Sequence, residues 1–137
     1  MTSTTMTEIL DGLLSAFVER VAHAQAALVC SADGLRMYAV GIDGEGDADR
    51  ASAVATGMFS LAGGADRALL GGGGSTRQVI AETDGGLIFI TRPAPGTLLT
   101  VLTSHDAELG LIGYEMQMLG QRLGPALEAA PRIVTAG

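Results

Sequence analysis

Four consecutive glycines, Gly71 to Gly74, followed by Ser75, Thr76 and Arg77, are the nearest approach in this sequence to a phosphate-binding loop. A Walker A loop places a lysine and then Ser or Thr after its last glycine, so that the ammonium reaches the β- and γ-phosphates and the hydroxyl holds Mg2+. Lysine is absent here, and the eight basic residues are all arginine. The segment that follows reads as a strand, whereas a phosphate loop runs into a helix N-terminus. Gly71 to Gly74 is therefore expected to be a connector. Asp43, Glu45, Asp47 and Asp49 alternate with other residues in the manner of a calcium loop. An EF-hand needs glycine at its sixth position and glutamate at its twelfth, and those positions hold Ala48 and Val54. A solvated acidic loop leading into a helix N-cap is the expectation.

Ser104-His105-Asp106 has the letters of a catalytic triad in the wrong arrangement, because a triad converges in space beside an oxyanion hole. Capping of a helix accounts for the trio. His23 and His105 are the only histidines, too few for a histidine-rich metal site. Cys30, the single cysteine, closes an apolar run and reads as a small buried hydrophobe. The expectation is no enzyme, no cofactor and no metal.

Composition narrows the remaining classes. A net charge of −7 with scattered arginines lacks the basic face that displaces counterions from nucleic-acid phosphates. Arg36, Arg50 and Arg67 read as surface charges. One cysteine forbids an internal disulfide and suits a reducing compartment. No apolar run reaches the roughly 18 residues of a membrane span, and the first basic residue is Arg20, so no charged segment precedes an apolar one as in a secretory signal. A cytoplasmic protein is expected. Richness in alanine and glycine without lysine suggests a high-GC bacterial genome. At 137 residues the chain suits one domain, expected over residues 1–125, with a flexible tail over 126–137.

The elements that would position any site follow from periodicity. Thr5-x-x-Glu8 reads as a capping box, and Ile9, Leu10, Leu13, Leu14, Phe17, Val18 and Val21 then recur at helical spacing. Ala26 to Cys30 and Leu35 to Val40 are apolar runs joined through Asp33-Gly34, a hairpin signal. Gly41 to Asp49 reads as a loop. Helical period returns from Asp49 to about Leu70, with Ala51, Val54, Ala55, Met58, Ala62, Ala65 and Leu69 facing inward; Gly63 and Gly64 would end or weaken this helix. Arg77 to Thr83, Leu87 to Thr91 and Thr97 to Thr103 read as strands, turned by Asp84-Gly85-Gly86 and Pro93 to Gly96. A last helix is expected from an N-cap near Ser104, directing Leu109, Ile112, Met116, Leu119 and Leu123 inward and stopping at Gly124-Pro125. The order, αββαβββα, predicts an α+β domain in which helices cover an antiparallel sheet.

Phe59 lies off the expected inward stripe, among Ser52, Thr56, Ser60 and Gly63. It would either pack closely against another surface or fold back onto its own sheet. Arg77 to Thr83, if an edge strand, would offer its open hydrogen-bonding groups to a second copy of the chain.

The segments LVCSADGLRMYAV (residues 28–40), the alanine-rich helix from Ala51 to Ala65, GGGGSTRQVIAE (71–82) and the closing stretch from Leu99 to Leu123 together resemble the roadblock / dynein light-chain family over residues 7–125. Bacterial conservon-operon roadblock proteins, encoded beside a sensor-kinase-like protein and a Ras-like GTPase, are the most similar in character. The resemblance implies a five-stranded antiparallel sheet in profilin-like layers, with the first and last helices on one face and the middle helix on the other. It implies a homodimer joined through the middle helix and third strand, and a non-catalytic role as regulator or adaptor of a Ras-like small GTPase in signal transduction. In gliding-motility relatives such a dimer binds the GTPase and promotes hydrolysis by arranging the GTPase's own groups. Carried over by element position, the interface would comprise Ser52, Thr56, Phe59, Ser60, Gly63, Arg77, Gln78 and Ile80. The alternatives are a purely structural scaffold for a sensor-kinase-like partner and a ligand-sensing domain of the PAS or GAF type.

Overall fold

In the computed structural model, which describes residues 5–129, the chain opens with α1 (Met6–Arg20). The Thr5 hydroxyl accepts the Glu8 N–H at 3.2 Å, satisfying one of the amides that a helix start leaves without a partner. Leu10, Leu14 and Phe17 are buried and recur at the spacing of one helical face, each removing enough apolar surface from water to stabilise the fold by about 1.5–3 kcal/mol.

Two hairpins and a central strand make the sheet. β1 (Ala24–Ser31) pairs with β2 (Arg36–Val40). Gly34 carries the turn at φ +91°, a conformation that a side chain would strain. β3 (Gln78–Thr83) and β4 (Gly86–Thr91) join through the two-residue turn Asp84-Gly85, and β5 (Thr97–Thr103) pairs with both β4 and β1. The resulting antiparallel order is β2-β1-β5-β4-β3, with β2 and β3 as open edges. This agrees with the α+β class and element order read from the sequence. β1, β5 and β4 lie inside the sheet and are buried over most of both faces, which is why their sequences are mainly apolar.

The two faces hold separate cores. Ala27, Val29, Phe89, Leu99 and Val101 pack against α1 and α3 (Leu109–Ala129). Cys30, Ile90 and Leu98 pack beneath α2 (Glu45–Ala65), meeting Ala55 with Met58 and Phe59 at the margin.

Three boundaries differ from expectation. The acidic loop is shorter than Gly41 to Asp49, because α2 begins at Glu45; Glu45 and Asp47 fill its first turn, where the helix dipole favours carboxylates. Gly63 and Gly64 do not end α2. It continues into a π-helical turn, Asp66–Leu70, and stops at Gly71 with φ +74°. The third difference is in α3. Ser104 is not its N-cap: the Ser104 N–H donates to the His23 carbonyl, which keeps the chain tied to the sheet, and a turn at His105-Asp106 follows. The first helical bond, Ile112 N–H to the Glu108 carbonyl, lies beyond it, so Leu109 starts the helix and is half exposed rather than inward. Pro125 does not stop α3 either. Leu123 and Leu127 are both buried in the main core and hold the helix through the proline as far as Ala129. Residues 126–129 thus extend a helix where a tail was expected, and 130–137 lie outside the described residues.

Candidate functional site

The middle helix carries apolar side chains on two stripes. Its buried residues are Ala48, Ser52, Ala55 and Gly63, and Ala55, with Met58 and Phe59 beside it, packs on Cys30, Ile90 and Leu98 of the sheet. Small residues let the helix lie close to the strands. Gly63 shows how close: a Cβ there would sit 2.5 Å from the Gly74 carbonyl oxygen. The Thr76 hydroxyl fastens the same joint, donating to the Phe59 carbonyl at 3.0 Å, and the Gly74 N–H donates to an Asp66 carboxylate oxygen at 2.9 Å. These bonds tie the end of α2 to the segment that leads into β3.

The buried stripe is rotated by roughly a quarter turn from the one expected. Val54, Ala65 and Leu69 face solvent rather than the core, and so does Leu61, with Leu61 76% and Leu69 79% exposed. Val54, Leu61 and Ala65 recur at i, i+7 and i+11, which is one helical stripe. Leu70, at the end of the π-helical turn, is also 79% exposed.

The eight expected interface residues divide accordingly. Ser52 is fully buried and donates to the Ala48 carbonyl at 2.9 Å, and Gly63 is buried as described, so neither offers surface in this structure. Thr56 is half-buried, donating to the Ser52 carbonyl at 2.8 Å and lying 3.9 Å from the Cys30 sulfur. Phe59 folds back onto its own sheet beside the Ile90 and Leu98 cluster. Ser60, Arg77, Gln78 and Ile80 remain exposed. The last three sit at the open start of β3, an edge strand. Missed by the sequence reading were Val54, Leu61, Leu69 and Leu70 as surface residues. The signal for them was a helix apolar on more than one side, which requires cover on more than one side.

The groups that could have done chemistry are dispersed or occupied. Asp47 pairs with Arg50 at 3.0 Å and Asp49 with Arg36 at 3.3 Å. No cluster of metal-ligating side chains occurs among the described residues. His105 Nε2 meets the Asp84 carbonyl, and Ser104 Oγ lies 3.3 Å from His23 Nδ1, so the Ser-His-Asp trio does not converge. Burial pushes the Cys30 thiol above its ordinary value, partly opposed by hydrogen bonds from Thr56 and Ser52, so the nucleophilic thiolate is disfavoured. Among the described residues no helix is long and apolar enough to cross a membrane.

The Roadblock/LC7 domain model matches residues 10–103. The chain belongs to the Roadblock/LC7 family. This assignment stands in place of the PAS or GAF alternative. A Roadblock/LC7 domain from Streptomyces avermitilis is 39% identical, with a TM-score of 0.78 over 86% of this chain and 97% of that one. MglB of Myxococcus xanthus has the same fold at 16% identity, with a TM-score of 0.77 over 89% of this chain and 97% of that one. Profilin IB of Acanthamoeba castellanii, at 13% identity and a TM-score of 0.58 over 83% and 95%, shares the layering of this Roadblock/LC7 chain. No curated protein matches significantly.

Proposed function

We propose that this Roadblock/LC7 chain is a homodimeric, non-catalytic regulator or adaptor of a Ras-like small GTPase. The observation that carries the reading is the uncovered apolar stripe of α2, Val54, Leu61 and Ala65, continued by Leu69 and Leu70. Contiguous exposed apolar surface of this kind marks a protein-binding site. The β3 edge adds a second feature, because its unpaired N–H and C=O groups invite strand addition from a twin chain. Ile80, 41% exposed, lies on that edge with Arg77 and Gln78. The interface we propose therefore keeps Ser60, Arg77, Gln78 and Ile80 from the initial set, with Thr56 and Phe59 at its margin. Val54, Leu61, Leu69 and Leu70 replace Ser52 and Gly63.

A regulator of this kind works by presenting a rigid surface to the GTPase. The test is calorimetry with light-scattering mass against the Ras-like GTPase encoded nearest in the genome, loaded with a GTP analogue or with GDP. Two chains per GTPase, bound more tightly in the triphosphate form, is the expected outcome. A stable dimer that ignores both forms would refute the GTPase role for that pair and favour a scaffold for a sensor-kinase-like partner.

A further inference from the structure

On the face opposite α2, a groove of about 750 Å³ runs between α3 and the ends of β3 and β4. The register pairs Gln78 with Thr91 and Thr91 with Leu99, placing all three on the face that α3 covers. Three features of its lining act together. Arg77 and Arg92 both line the groove, and neither has a carboxylate partner among the described residues, whereas Arg20, Arg36 and Arg50 each do. The nearest polar contact of Arg92 is the Ser75 hydroxyl at 3.5 Å. Glu128 is the single carboxylate on the lining, so the groove is locally positive on a chain of net charge −7. Gln78, Gln117 and Gln121 supply amides, which both donate and accept and so match a peptide backbone.

The wall along α3 is low. Gly113, Gly120 and Gly124 line it; a Cβ at Gly113 would meet nothing within 4 Å, whereas at Gly124 it would lie 2.8 Å from the Pro93 carbonyl oxygen, so the groove is most open at its Gly113 end. From Gly113 to Glu128 the helix advances about 22 Å, the length of roughly six or seven extended residues. A compact phosphate would engage a small part of such a groove. An extended chain would use its length, its amides and its unpaired guanidinium groups, which take carboxylates in a forked geometry.

We propose that this groove binds a short acidic segment of a partner protein in extended form. It lies on the face away from the apolar stripe of α2, meets the proposed β3 edge interface only at Arg77 and Gln78, and does not require the GTPase reading. Arginine pairs that recognise acidic motifs act in this way elsewhere.

The probe is a fluorescein-labelled oligoglutamate of about seven residues, titrated with the full chain at low salt and followed by anisotropy, with an oligolysine of equal length as control. Saturable binding of oligoglutamate alone is expected. The substitution Arg92→Gln, which leaves the proposed β3 edge interface untouched, and the separate substitution Gly113→Leu, which fills open space in the groove, should each weaken it by about tenfold or more. Melting by circular dichroism checks that both variants fold. Light-scattering mass on the same samples reads the dimer separately, so a monomeric chain that still binds oligoglutamate sinks the dimer and leaves the groove standing. No binding by the unaltered chain, equal binding of oligolysine, or undiminished binding by both folded variants would overturn the proposal.

Discussion

Gly63 and Gly64 are neighbours in α2, yet replacing each by alanine should move stability in opposite directions. Glycine within a helix costs about 1 kcal/mol relative to alanine, so both substitutions begin with that gain. At Gly64 nothing stands within 4 Å of the added Cβ, and the gain should survive whole. At Gly63 the Cβ would lie 2.5 Å from the Gly74 carbonyl oxygen and 3.2 Å from the Thr76 hydroxyl. The obstacle is backbone, so α2 and the segment leading to β3 must separate. Overpacking of this kind costs about 1–3 kcal/mol, and separation also endangers the Thr76 to Phe59 hydrogen bond. The net effect is a loss of roughly 1 kcal/mol at Gly63 against a gain of about 1 kcal/mol at Gly64. Urea unfolding followed by circular dichroism, at one fixed chain concentration because association adds stability, should give midpoints on either side of the unaltered protein. In heating scans each shift should be about 3–6 °C. Equal shifts of the same sign would refute the close approach of α2 to the Gly74 segment.

Leu61→Asp places a charge on the uncovered stripe of α2, where Leu61 is 76% exposed; if the proposed dimer forms there, light scattering should show it dissociating while the melting of the dilute monomer changes by less than about 0.5 kcal/mol. Thr100 Oγ1 is buried and has no hydrogen-bond partner among the described residues, so Thr100→Val should leave stability unchanged or raise it by up to about 1 kcal/mol in denaturant titrations. The Cys30 thiol is held above its ordinary value of 9.0 by burial, so the unfolded chain ionises first and stability should fall as pH rises past 9. Cys30→Ala should flatten that pH dependence, and a thiol reagent at pH 8 should label the native chain only as fast as it opens.

Much of the fold was legible because local chemistry and tertiary structure agree at its joints. Asp33-Gly34 and Asp84-Gly85 turn the hairpins, Thr5 caps α1, and the three inner strands show as mainly apolar runs. Ser104 and Pro125 misled for opposite reasons. Ser104 has the chemistry of a cap, but its hydroxyl faces His23 Nδ1 and its N–H the His23 carbonyl, a partner 81 residues away that no local window contains. Pro125 has the chemistry of a stop, but the burial of Leu123 and Leu127 offsets the lost bond.

The candidate surface was harder to read, and α2 shows the physical reason. Periodicity finds apolar stripes without saying which one meets the sheet. The choice is made by shape: the strands accept Ala48, Ser52 and Ala55 because small side chains bring the helix near, and the nearer the helix, the less room remains for Val54 or Leu61. Val54 and Leu61 are therefore left outside, while Met58 and Phe59 pack at the margin of the sheet cluster. A hydrophobicity scale ranks Val54 and Leu61 as core, whereas close packing of the helix on the sheet leaves them on the surface. The same inversion explains Phe59. It looked like a lone aromatic on a small-residue face, and that face proved to be the one that packs. On this open-edged sheet the small residues of α2 meet the strands, and Val54, Leu61 and Ala65 stay uncovered.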